Sequence, residues 1–453
     1  MKKILAVTIS IVTLLILGFY FFIYPKFIII SGYAAKNMCS CVFVAGIDEQ
    51  KVLKEDLNFD ILNMATTDVD YENKSVTASV FGLNPKTAYF KGATGCTLIT
   101  ELKPKEAYTY TKDWDIPKYD SLENWFSYID TVEYLTNNQI ELLNKAVAKA
   151  FKEDNIENPQ INTRAALVLY KGQLVAEQYA PGFNENSRLM GWSMTKSLTA
   201  TMLSLLVQEG KLKLTDPTNI AEWQGDERKN ITWEQLLHMN SGLRWQEVYD
   251  KVSDAVLMLF NSDATGNYAK KMPLEFKPDS HWVYSSGTSN ILATTMRQYF
   301  NSTDAYVRYP YDKIFYKIGM YSMLMETDAE GSFVGSSYSW ASARDWAKMG
   351  QLYLQEGNWA GQQLLTKEWV DFVKKEAPNS DGIYGGHFWL NKGKRYPDIP
   401  TDLFSLDGFH GQKVFIIPSK NLVIVRLGLL YNENDLYFNS WLKDIIQAID
   451  IKE

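Results

Sequence analysis

The chain opens with an apolar run over residues 4–24, set directly behind Lys2-Lys3. As a helix this run is roughly 30 Å long, enough to cross a bilayer. Over residues 42–111 the pattern becomes short and β-like. Residues 76–82 and 86–92 predict a strand pair joined by Leu83-Asn84-Pro85. Charged and aromatic residues over 103–130 read as a linker or a strap across the next domain. Over 138–151 apolar residues recur at Ile140, Leu143, Ala146, Val147 and Ala150, the spacing of an amphipathic helix.

Residues 165–170 and 173–179 form a hairpin pattern with its turn at Lys171-Gly172. An apolar run over 197–209 follows and stops at Gly210, which predicts a buried helix with a glycine end. Between 211 and 381 the pattern is mainly helical, including 232–239 and 341–356, broken by Gly, Pro and Ser. Strand patterns return at 386–390, 412–417 and 422–427, the last two turning at Pro418-Ser419-Lys420-Asn421. A helix over about 439–449 closes the chain. This order predicts an α+β fold whose antiparallel sheet is built from both chain ends, with flanking helices and a mainly helical insert. Three regions result: an anchor over 1–30, a small β-containing N-terminal region and linker over 31–130, and the main domain over 131–453.

With 453 residues, 46% of them hydrophobic, the chain can bury a sizeable core. A net charge of −7 and the lack of a Lys/Arg block argue against a nucleic-acid partner. The apolar run exceeds the 7–15 residues of a secretory signal, so it reads as an uncleaved signal anchor, with Gly32-Tyr33-Ala34 the alternative cleavage point. Lys36-Asn37-Met38 before Cys39 lacks the small residues that lipid attachment would want. Lys2 and Lys3 keep the terminus cytoplasmic, although Lys26 beyond the span weakens that bias; the rest of the chain is then extracytoplasmic, or periplasmic. An oxidising compartment permits Cys96 to pair with Cys39 or Cys41, and three free thiols are the other reading. No CxxC or HExxH motif occurs and the 4 histidines are scattered, so neither a metal nor a cofactor is expected.

The candidate chemistry lies at Ser193-Met194-Thr195-Lys196, where the buried helix begins. Three residues make just under one turn, so the Ser193 hydroxyl and Lys196 amine lie side by side. A buried lysine loses its proton more readily and can act as base towards the serine. The helix N-terminus offers N–H groups where negative charge develops. Ser440-Trp441-Leu442-Lys443 repeats the spacing in the C-terminal helix, but only Ser193 starts a helix apolar nearly all round.

Ser193-x-x-Lys196, the stretch Ile231-Thr232-Trp233-Glu234-Gln235-Leu236-Leu237-His238-Met239-Asn240-Ser241-Gly242-Leu243, and Tyr284-Ser285-Ser286 occur in the order and spacing of one known superfamily. Lys211-Leu212-Lys213-Leu214-Thr215-Asp216-Pro217 and Gly408-Phe409-His410-Gly411-Gln412 are also in keeping. The chain resembles the class C β-lactamases and penicillin-binding proteins, and within them the 6-aminohexanoate-dimer hydrolase and esterase branch, from about residue 138 onward. The resemblance implies a β-lactamase-like serine hydrolase domain over 131–453. It gives Ser193 the role of nucleophile, Lys196 that of base, and Tyr284 that of the proton-shuttling tyrosine of the Tyr-x-Asn motif. Ser286 stands where the lactamases place Asn, and nothing in the final strands reads Lys-Thr-Gly. The lysine that grips the penicillin carboxylate is therefore missing. Ser286, His410, Gly411 and Gln412 are candidate substrate-binding residues, His410 being alternatively a structural histidine. The second oxyanion N–H is expected between residues 405 and 413. The function implied is a membrane-anchored serine hydrolase acting on a small or peptide-like ester or amide through an acyl-enzyme. The alternative is a penicillin-binding-protein type of sensor that acylates without turnover. Trp192, Trp245, Trp282, Trp340 and Trp389 lie near the motifs and are candidates to line an apolar acyl pocket.

Overall fold

The structure is a computed structural model that describes residues 2–59, 61–117, 134–152, 161–431 and 435–451. The end of the predicted linker, 118–130, lies outside the described residues. The apolar run folds as the helix Lys2–Gly18 and then a π-helical turn, Phe19–Ile23. The helix does not stop there. Tyr24–Cys39 continues it, with Pro25 in its first turn, where a missing N–H costs nothing, and a second π-helical turn spans Ser40–Val44. The apolar run and the first part of the N-terminal region are thus one helical rod. Its outer half exposes Ile4, Ile9, Leu14 and Leu17, whereas Ile30, Ala34, Ala35 and Met38 are buried.

The rod packs on a four-stranded antiparallel sheet, Ala65–Asp70, Ser75–Val80, Leu83–Phe90 and Cys96–Ile99, in that order. The hairpin expected to turn at Leu83-Asn84-Pro85 turns instead at Phe81-Gly82. Both take positive φ, 53° and 73°, the two-residue turn that suits strand twist. Asn84 and Pro85 lie inside the following strand, before its pairing with Cys96–Ile99 begins at Thr87. Pro85 therefore removes no bond from that ladder.

The main sheet has six antiparallel strands in the order Trp389–Leu390, Phe404–Gly408, Gln412–Ile417, Leu422–Leu430, Ile161–Tyr170 and Gln173–Tyr179. It is built from both chain ends, as the strand pattern predicts. The sequence reading missed Phe404–Gly408, a five-residue strand that carries Asp407 next to its end. That carboxylate is buried against Lys413 at 2.7 Å and Arg395 at 2.9 Å. The predicted turn at Lys171-Gly172 is present, with φ of 50° and 79°.

Helices Asn137–Ala148 and Asp435–Asp450 form one apolar cluster with Phe415, Ile417 and Ile424. A larger cluster joins Thr195–Gln208 and Ala343–Leu354 to Leu406, Val414 and Val425. Alternation along the strands sends neighbours to opposite faces and so serves both cores. The larger cluster also contains Ala34, Met38, Val76 and Leu98, so the N-terminal region shares a core with the hydrolase-like part. Cys39 is disulfide-bonded to Cys96, and Cys41 is a buried free thiol. Beside the disulfide, Lys36 pairs with the fully buried Glu326 at 2.7 Å. That carboxylate also accepts from Ser40 Oγ, Cys96 N and Trp340 Nε1.

Candidate active site

The strand Leu189–Met190 enters a short turn, Trp192–Met194, which runs into the helix Thr195–Gln208. Gly191 precedes the turn because a Cβ there would lie 2.4 Å from the Trp346 ring. Trp192 adopts a φ of 47°, a costly conformation for a bulky residue that the surrounding packing must enforce. Ser193 and Lys196 then share a helix face. Lys196 Nζ donates to Ser193 Oγ at 2.9 Å, to Ser286 Oγ at 3.0 Å and to the Ser336 carbonyl at 3.1 Å. The lysine is 1% exposed, and burial lowers its pKa to about 8 although the charge of Glu247 works in the opposite direction.

Tyr284 comes from the loop before the helix Ser286–Met296, whose N-cap is Ser285. The Lys196 ammonium sits 4.7 Å from the centre of its ring, which also packs on Trp389 at 5.2 Å and Tyr384 at 5.8 Å. Ser193, Lys196, Tyr284 and Ser286, spread over 94 positions, thus form one cluster. The Ser286 hydroxyl does not stand free for substrate: it donates to Glu247 Oε1 at 2.5 Å while its N–H donates to Oε2 at 2.8 Å. Trp245 Nε1 and the Tyr249 hydroxyl donate to the same carboxylate. Glu247 escaped the sequence reading because one carboxylate among 53 acidic residues carries no signal of its own. Its one hint is the alternation Trp245-x-Glu247-x-Tyr249 just after Ser241-Gly242-Leu243.

The turn Phe409–Gly411 forms the facing edge. Gly408 lies so close to Gly191 that a Cβ would sit 2.1 Å from the Gly191 carbonyl oxygen, which brings this strand end against the turn that carries Ser193. His410 has φ 60° and lines the cleft. Its Nδ1 faces the Leu430 carbonyl at 3.3 Å, and burial lowers its pKa to about 4, so the ring is neutral at pH 7. Gly411 and Gln412 are not among the residues that line the cleft. Gln412 Nε2 donates to the carbonyls of Phe409, His410 and Gly428, and its Oε1 accepts from Gly428 N. Its amide is engaged with backbone rather than open to a substrate. Arg426, fully buried, donates to the carbonyls of His410, Gly411, Gly428 and Leu429 and fixes the same turn. Of the five tryptophans expected near the acyl pocket, Trp192 lines the cleft with Ser193; Trp245 bonds Glu247, Trp340 bonds Glu326, and Trp282 and Trp389 pack beside Tyr384.

Ser193 opens into a cleft of about 1140 Å³. Lys26, Ile29, Ile30 and Tyr33 of the N-terminal helix form part of its wall, which the sequence pattern did not foreshadow. Ser440 and Lys443, the second copy of the spacing, are both exposed on the C-terminal helix, and Lys443 bonds Asp398 at 3.2 Å.

A serine and a buried lysine on one helix face, at the edge of an antiparallel sheet assembled from both chain ends, define a serine hydrolase of the β-lactamase-like type. The family model described as beta-lactamase matches residues 147–433, and the chain belongs to that family. It is 24% identical over 294 residues to the 6-aminohexanoate-dimer hydrolase of Paenarthrobacter ureafaciens, covering 58% of this chain and 72% of that one. Among solved structures, a candidate 6-aminohexanoate-dimer hydrolase from Bacillus anthracis superposes with a TM-score of 0.55 at 23% identity, over 64% of this chain and 80% of the other. A penicillin-binding-protein homologue from Caulobacter crescentus gives 0.55 at 14% identity, over 70% and 98%.

Proposed function

We propose that the protein is a membrane-anchored, extracytoplasmic hydrolase of esters or amides that works through an acyl-enzyme on Ser193. The 2.9 Å contact between Lys196 Nζ and Ser193 Oγ carries this reading, because the neutral amine of a lysine with a pKa of about 8 is a competent base. Ser193 Oγ attacks the carbonyl and its proton passes to Lys196. The carbonyl oxygen gains charge, which the Ser193 N–H and a second backbone N–H from the facing segment, residues 405–413, stabilise. Tyr284 passes the proton on to the leaving alcohol or amine as its bond to carbon breaks. Water then cleaves the acyl-serine by the reverse proton route. Glu247 holds the Ser286 hydroxyl towards Lys196 and keeps the pair oriented.

Penicillins fit this site poorly. Lys413, on the strand beside the cleft edge, is buried against Asp407 and the Phe438 ring rather than turned to the nucleophile. The anchor reading draws support from Ala34 and Ala35, which are fully buried at the alternative cleavage point. Cleavage there would strip Ile29, Ile30 and Tyr33 from the cleft wall. The test is intact mass after exposure to a small ester, a linear amide oligomer and benzylpenicillin. An acyl adduct on Ser193 from the ester or amide, followed by turnover, is the expected result. An adduct that forms only with benzylpenicillin and never clears would overturn the reading in favour of a sensor.

A further inference from the structure

The cleft is larger than a small ester or amide requires, and one of its walls is continuous with the apolar N-terminal helix. Ligand sites for drug-sized molecules occupy about 300–1,000 Å³, and this one reaches about 1140 Å³. Lys26, Ile29, Ile30 and Tyr33 follow the i, i+3, i+4, i+7 spacing of one helix face, and all four line the cleft. The Tyr33 ring stacks on Trp192 at 6.0 Å, and Ser193 is the next residue. A continuous strip therefore leads from Lys26 to the nucleophile. Phe59, Ile61 and Leu62 also line the cleft, and Ile61 is 45% exposed.

The level of the membrane follows from the same helix. Residues 4–23 rise roughly 30 Å, the thickness of the hydrocarbon core, so the helix leaves it near Tyr24. Aromatic side chains gather at that level, as they do at membrane interfaces. Tyr20 stacks on Tyr24 at 5.6 Å, and Phe81, an exposed ring at the turn between Ser75–Val80 and Leu83–Phe90, meets Phe27 at 5.9 Å. Lys26, the outermost cleft residue on this helix, is only about 5 Å along the helix axis from Ile23. Its exposed ammonium suits the headgroup layer.

We propose that the substrate is a membrane-resident amphiphile, an ester or amide with a long apolar chain. The chain lies along the Lys26–Tyr33 face while the carbonyl reaches Ser193. This rests on the hydrolase and anchor readings above and adds the substrate class. The chemistry balances as in any acyl transfer. Ser193 Oγ bonds to the acyl carbon, the leaving group departs with the serine proton, and water releases the acid.

The full chain would be reconstituted in phosphatidylethanolamine/phosphatidylglycerol vesicles and assayed with p-nitrophenyl butyrate and dodecanoate. The kcat/KM for dodecanoate should exceed that for butyrate at least about tenfold, as burial of added methylenes requires. Dodecanoate carried in the same vesicles as the enzyme should also turn over faster than dodecanoate carried in separate vesicles. Ile29→Asn, and independently the exposed Ile61→Asn, should lower the dodecanoate-to-butyrate ratio at least about fivefold. Equal kcat/KM for the two esters, or a ratio untouched by both substitutions, would overturn the proposal and leave the hydrolase standing. Turnover of both esters by Ser193→Ala would instead remove the hydrolase reading, and this proposal with it.

Discussion

At the scale of single residues, the proposed mechanism runs one proton path through Ser193, Lys196 and Tyr284. Ser193→Ala, Lys196→Ala and Tyr284→Phe should each lower kcat at least about 10³-fold, with doubles far from additive because the three act as a unit. Ser440→Ala and Lys443→Ala should leave kcat within about twofold, since both side chains are exposed on a remote helix. The pH dependence has a definite sign. Burial brings the Lys196 pKa down from 10.5 to about 8, and in the proposed mechanism the reactive form is the neutral amine. Below about pH 8 the rate should therefore fall tenfold per unit, and above it the rate should level off. The negative charge of Glu247 raises that pKa, so Glu247→Gln should move the rising limb to lower pH; a limb that moved upward would contradict the electrostatic role. Sequence spacing made Ser193 and Lys196 legible because three residues on a helix fix their own proximity. Glu247 was not legible, because its contact with Ser286 is made across 39 positions by loop geometry.

At the scale of elements, the critical joint is that between the N-terminal rod and the hydrolase domain. Lys36 and Glu326, separated by 290 positions, are both buried and held at 2.7 Å. Removing one partner of such a pair leaves an uncompensated buried charge and costs about 3–5 kcal/mol. Lys36→Met should therefore lower the midpoint of thermal unfolding in detergent, and Lys36→Met with Glu326→Gln should recover part of the loss. A single variant as stable as the parent would show that the rod is not held through this pair. Helices and strands with clear periodicity were readable, including the hairpin at Lys171-Gly172 and the helix behind Ser193. The continuation of the rod to Val44 was not. Lys36, Asn37 and Ser40 break the apolar pattern there, and it is Glu326 that gives Lys36 and Ser40 their buried partner.

For the whole molecule, the rod carries the apolar run of the proposed anchor and, further along, part of the cleft wall beside Ser193. The mature protein is expected to begin at or near Met1 and to require detergent for extraction, as N-terminal sequencing and fractionation would report. A soluble form beginning near Ala35 would refute the anchor. Such a form would also lose Tyr33 from its stacking on Trp192, so its activity should not match that of the full chain.

The sequence by itself determined what local periodicity and short spacing encode. These are the bilayer-length apolar run, the sheet drawn from both chain ends, the Ser193–Lys196 pair, and the family to which they point. Tertiary structure alone decided which distant groups meet. It chose Cys39 over Cys41 as the partner of Cys96, joined Glu247 to Ser286, turned Gln412 onto backbone carbonyls, and laid the Lys26–Tyr33 face along the cleft. The physical reason is that helix and strand periods fix only which residues share a face. What that face meets depends on packing between segments far apart in the chain, where burial sets the energy of each polar contact.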